Sequence, residues 1–141
     1  MSLMMSLSNK IRILALSCAF CATSLNVYAA EEGEAPVPTY IELKPNFVVN
    51  HVGDETRLKY IKTSISIRTD MSKKELIEAN MPLVRDALVM FLSSRTTEQV
   101  TGAIAREKTR EEAAVAVNSA LKEETGAEPV KDILFASFVT Q

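Results

Sequence analysis

A chain of 141 residues has room for one domain. With 47% hydrophobic and 24% charged residues, four glycines and five prolines, its make-up is that of a globular protein and not of a disordered one. The 16 basic and 18 acidic residues give a net charge of −2 without any cluster of Lys and Arg. The electrostatic footprint of a nucleic-acid binder is therefore missing, and no nucleic-acid partner is expected.

The first element is a targeting segment. MSLMMSLSNKIR carries Lys10 and Arg12 and no acid, and ILALSCAFCA (13–22) has the length of a signal-peptide h-region. Val27-Tyr28-Ala29 places small residues where signal peptidase requires them. This reads as a cleaved secretory signal over residues 1–29. The alternative is a short uncleaved anchor, although Ser24 and Asn26 interrupt the run well before the roughly 20 apolar residues of a spanning helix. Cys18 and Cys21 both fall in this segment, so a CxxC redox or metal reading has little weight. Ala15 stands where lipoprotein processing at Cys18 needs a Leu-type residue. Cleavage leaves a cysteine-free chain with 14 basic and 18 acidic residues, held by its core alone. Residues 30–38, which include EEGEAPVP, form an acidic, proline-containing linker before a domain over 39–141.

TYIELKPNFVVN (39–50) alternates, with Ile41, Leu43, Phe47 and Val49 on one parity. Period two predicts a strand with one buried face. Pro45 cannot donate to a ladder and makes this strand an edge, or bulges it. A turn at Gly53-Asp54 leads to LKYIKTSISIRTD (58–70), where Ile61, Ile65 and Ile67 oppose Lys62, Ser64, Ser66 and Arg68. The two runs predict an antiparallel hairpin.

The period then becomes helical. SKKE (72–75) predicts a capping box from Ser72 and Glu75. Ile77, Met81, Val84, Leu88 and Phe91 form one stripe, and Pro82 kinks or restarts the helix near Asn80. SSRTTEQVTG (93–102) predicts a short helical turn, followed by a helix from about Ala103 to Thr125 with Ala114, Val117 and Leu121 inward and Gly126 as C-terminal cap. In the last segment, VKDILFASFVTQ, strict alternation puts Ile133, Phe135 and Val139 on one side and Leu134, Ala136 and Phe138 on the other. A strand apolar on both faces is expected to be covered on both or to lie central in its sheet. The expected fold class is α+β: a three-stranded antiparallel sheet packed with two to three helices.

Catalytic chemistry finds no constellation. His51 is the one histidine and reads as a surface residue at a strand–turn junction. One His without Cys supplies no metal site, and Gly53, Gly102 and Gly126 stand alone instead of forming a phosphate loop. No enzyme activity, cofactor or metal is expected. A small hydrolase would need His51 with Ser64 or Ser66, serines that alternate as solvent-facing residues do. Met71, Met81 and Met90 read as core filler. Arg85 lies at the margin of the predicted helix stripe and Asp86 points away from the core, as solvated charges or a contact surface.

These segments in this order resemble the FliL family of flagellar basal body-associated proteins. The carriers are YIELKPNFVVN, RLKYIKTSISIRTD, MPLVRDALVMFLSSRTTEQV, REEAAVAVNSAL and DILFASFVTQ. The resemblance implies a stomatin/SPFH-like domain in the periplasm at the inner membrane. It implies a homo-oligomeric ring around the MotA–MotB stator of the basal body, supporting rotation and swarming, with no catalytic residues. Within that frame Pro82, Arg85 and Asp86 are expected to form a partner or self-association contact, and exchanging Arg85 and Asp86 for Ala is expected to lower motility. The alternative is a periplasmic binding or chaperone-like module of another envelope complex.

Overall fold

Period-two hydrophobicity at both ends of the domain and period-3.6 hydrophobicity between them produce a sheet with helices against one face. The computed structural model describes residues 35–53 and 58–141, within a unit spanning Pro36–Gln141. The expected signal segment, both cysteines, most of the linker and the tip of the Gly53-Asp54 turn lie outside the described residues.

Three strands, β1 (Pro38–His51), β2 (Lys59–Asp70) and β3 (Asp132–Thr140), form an antiparallel sheet in the order β1-β2-β3. Between β2 and β3 run α1 (Lys74–Ala79), α2 (Met81–Ser93), α3 (Thr97–Val100) and α4 (Ala103–Thr125). The α+β expectation holds. The predicted hairpin, the restart at Pro82 in the first turn of α2, and the bounds of α4 are all present. Gly126 ends α4 in the left-handed region at φ +75°, its amide bonded to Lys122 O at 2.9 Å. The Ser72–Glu75 capping box does not form. A 3₁₀ turn at Met71–Lys73 takes its place, and the helix starts from Lys73 without a side-chain cap. The capping box present is Thr96 with Gln99, at the start of α3.

The core lies between the sheet and the helices. Ile41, Leu43, Phe47 and Val49 of β1, Ile61, Ile65 and Ile67 of β2, and Ile133 of β3 face Ile77, Val84, Leu88, Leu92, Val100, Ala113, Val117 and Leu121. In α4 the buried row is Thr109, Ala113, Val117 and Leu121, one residue per turn, with Ala114 only partly buried. Each large aliphatic side chain removed from water here contributes about 1.5–3 kcal/mol. Two threonines share that face and are satisfied: Thr63 donates to Ser137 O and Thr69 to Pro129 O, each at 2.6 Å.

His51 is not a surface residue. It is only 7% exposed, because the β1 parity that buries Ile41, Leu43, Phe47 and Val49 runs on to it. Ser64 and Ser66 project from the opposite face of the sheet, so no Ser–His pair is brought together.

The last strand also departs from expectation. β3 is an edge strand, and β2 is the central one. Its register slips at one point: Phe135 faces Ile65 and Ser137 faces Ser64, which leaves Ala136 as an extra residue. This bulge reverses the parity. Ile133, Phe135 and Phe138 thus sit opposite Ile67, Ile65 and Thr63 of the core row, while Leu134, Ser137 and Val139 face the other way. Apolar residues at both parities here signify one buried face with a bulge in it.

Candidate partner interface

Helix α2, MPLVRDALVMFLS, carries more apolar surface than its packing consumes. Val84, Leu88 and Leu92 are fully buried, with Met81, Leu83, Ala87 and Phe91 packed around them. On the opposite side Pro82, Asp86, Val89 and Ser93 recur at spacings of four, three and four, with Met90 beside them. Met90 is 64% and Val89 39% exposed, and Pro82 and Asp86 are also exposed. That side is mixed, with Asp86 and Ser93 polar and Pro82, Val89 and Met90 apolar, and nothing among the described residues packs on it.

Two of the three residues expected at a contact, Pro82 and Asp86, therefore share this outer face. Arg85 does not point into it. Its guanidinium lies 4.2 Å from the centroid of the Phe47 ring, and Nη2 donates to Pro45 O at 2.9 Å, so it ties α2 to the bulged part of β1. Nη1 is buried without a hydrogen-bond partner. Arg85 thus positions α2 on the sheet, while Pro82 and Asp86 are presented outward. Of the three methionines expected to fill the core only Met81 packs against it; Met71 and Met90 are exposed, as is Val89. The signal available was that only Asp86 and Ser93 interrupt the apolar residues on that side of α2.

A second arginine fixes the far end of the same helix. Arg95 stacks over Phe91 at 4.3 Å and bonds Glu112 of α4 at 2.6 Å, while its carbonyl accepts from Val52 N at 2.9 Å. At the other side of the sheet, Asn118 of α4 accepts from Val130 N (2.9 Å) and donates to Val130 O (2.8 Å), fixing the entry of β3. Arg110 of α4 pairs with Asp132 and Glu107 and donates to Ile133 O at 3.4 Å. Its hydrogen bond holds the Glu107 carboxylate below the usual range.

Among the described residues no group of three or more His, Cys, Asp or Glu could hold a metal ion, and no helix is long and apolar enough to cross a membrane. The arrangement is a three-stranded sheet that presents a helix face. No curated protein matches the sequence. The model of the family described as flagellar basal body-associated protein FliL matches residues 40–141, which takes in nearly all of β1 and every element after it. That family is one of flagellar structural proteins, and the chain belongs to it: a flagellar basal body-associated protein of the FliL family.

Proposed function

We propose that the domain is a periplasmic scaffold at the inner membrane that binds the MotA–MotB stator and self-associates as a ring, supporting rotation and swarming. Residues 1–29 serve as its export signal or short anchor. The partner contact is the outer face of α2, built from Pro82, Asp86, Val89 and Met90, with Arg85 holding the helix at its angle to the sheet. The supporting observation is that Pro82, Val89 and Met90 lie exposed together on the outer side of α2, beside Asp86. An apolar strip carrying one carboxylate suits a protein partner: the strip supplies buried area and Asp86 supplies orientation.

Because Arg85 holds two contacts within the fold, substitutions on the exposed residues test this reading more cleanly. Met90→Lys and Asp86→Lys are expected to leave thermal unfolding within about 0.5 kcal/mol of the parent, as surface changes usually do. Both are expected to shrink swarm diameter in a motile host whose own gene is replaced. Full motility from a normally expressed double variant would reject the α2 face as the contact.

A further inference from the structure

The two outer edges of the sheet are unlike. β1 is interrupted: Leu43 and Phe47 face Ile65 and Thr63, so three β1 residues, including Pro45, pass the single residue Ser64. Glu42 and Lys44 add charge there. Proline, bulges and charged side chains are the usual means of keeping an edge from pairing with another chain. β3 has neither proline nor charge along its exposed length, and its one bulge, at Ala136, is what sets Phe135 and Phe138 on the same face. Residues 133–141 contain no charged side chain and no proline. Arg110 covers the Ile133 carbonyl, and the segment beyond it is partly or largely exposed, Val139 by 46%. Phe135 and Phe138, with ring centroids 5.0 Å apart, line an open groove of about 720 Å³ between β3 and the first turns of α4.

Residues 134–139, Leu-Phe-Ala-Ser-Phe-Val, have the same chemical order in both directions: aliphatic, aromatic, small, small, aromatic, aliphatic. An antiparallel two-fold pairing centred between Ala136 and Ser137 sets Phe135 opposite Phe138 of a second copy and Leu134 opposite its Val139. The faces agree. The bulge puts Phe135 and Phe138 together on the core side and Leu134 and Val139 together on the other, so each proposed pair shares one face. No like charges meet, and aromatic and aliphatic cross-strand pairs are among the favourable ones. Alternation from the bonded pair Tyr60–Gln141 aims the amides of Phe138 and Thr140 away from β2, toward a strand laid alongside.

We propose that two copies of this chain associate through β3, edge to edge about this axis, to make one continuous six-stranded sheet. The contact is isologous, so it joins copies in pairs, and a ring of more than two copies needs a second, different contact. The pairing stands on the β3 edge alone and is independent of the α2 face and of any stator contact.

The test uses the full chain in mild detergent, in a Cys18→Ser/Cys21→Ser background. Sedimentation velocity is expected to show a concentration-dependent two-fold species. Val139→Lys, which places a charge in each Leu134–Val139 pair, is expected to weaken it at least tenfold while leaving the circular dichroism unchanged. Leu134→Cys with Val139→Cys keeps both side chains small and apolar. With a short bifunctional thiol reagent this variant is expected to give a covalent dimer, whereas Val48→Cys on the exposed face of β1 gives none. A chain that stays monomeric overturns the proposal. So does a two-fold species that survives Val139→Lys, or cross-linking at positions 134 and 139 no greater than at 48.

Discussion

The two outer strands bend around the same point of the central one and do so differently. Where β1 passes Ser64 it spends three residues, two more than a regular ladder needs; where β3 passes it, the excess is one. An even excess returns every later side chain to its original parity, so Phe47, Val49 and His51 remain in phase with Ile41 and Leu43. An odd excess reverses the phase, so Phe138 joins Ile133 on the face that strict alternation denies it. β2, bonded on both sides, has no spare residue. Irregularity is confined to the edges, where a bulge disturbs one ladder instead of two.

The largest effect that would break this contrast comes from deleting one residue at a time. Removing Ala136 takes out the extra residue of β3 and leaves Phe135 and Phe138 on their faces, at an expected cost on the order of 1 kcal/mol, the scale of a local backbone adjustment. Removing Ser64, directly across the ladder, shifts one flank of β2 against both neighbours at once. It would turn part of the Ile61, Ile65 and Ile67 row to solvent. That loss is expected to exceed the roughly 5–15 kcal/mol by which a domain is stable. Chemical denaturation of the two variants measures the difference, and a cooperatively folding Ser64 deletion would show that the central strand tolerates slippage after all.

The same contrast explains what could be read from sequence. The hairpin, the helix restart at Pro82, α4 with its Gly126 cap and the buried rows of β1 and β2 were legible because each follows a single period without interruption. His51 was legible too, since the β1 parity reaches it, but its place at a strand end suggested surface. The burial of Phe135 and Phe138 on one face was not, because the bulge at Ala136 has no marker such as Gly or Pro. Within the candidate interface, Asp86 was legible from helix phase. The inward turn of Arg85 was not, since its partners, Phe47 and Pro45, lie about forty positions earlier in the chain. The Thr96–Gln99 capping box had a sequence signature as good as that of Ser72–Glu75; the latter lost because the chain leaves β2 through a 3₁₀ turn.

Each outer strand is also tied to a helix by one arginine, and here the contrast sharpens at smaller energies. Arg85 holds the β1 bulge through a ring face and a carbonyl, both at the margin of the core. Cation–π stacking of this kind contributes about 0.5–2 kcal/mol, and a hydrogen bond from a charged donor about 1.5–3 kcal/mol. The two are not additive, so Arg85→Ala is expected to cost about 1–3 kcal/mol in denaturant unfolding. Little change is expected between low and high salt, since neither partner carries a charge. Arg85→Lys recovers only part of the loss, because an ammonium cannot stack as a planar guanidinium does. A loss for Arg85→Ala that disappears at high salt would point to a charge pair instead.

Arg110 reaches β3 through Asp132 and pairs with Glu107 on its own helix, and the second pair is read in acid. Its hydrogen bond to Glu107 comes first among the causes that hold Glu107 below the ordinary value of 4.5, with burial opposing. A carboxylate with a depressed folded pKa adds stability that is fully present above its unfolded pKa and fades as pH falls through the folded one. Glu107 lies at the surface, so the effect is the smallest of the three. Melting temperatures of the parent and Glu107→Gln are expected to differ by a small constant amount above about pH 4.5 and to converge in stronger acid. In 1 M salt, where screening acts within about 3 Å, the difference is expected to shrink at every pH. A gap between the two proteins that is the same at low pH as at neutrality would mean that Glu107 acts through packing. The Arg110–Glu107 pair within α4 would then owe nothing to charge.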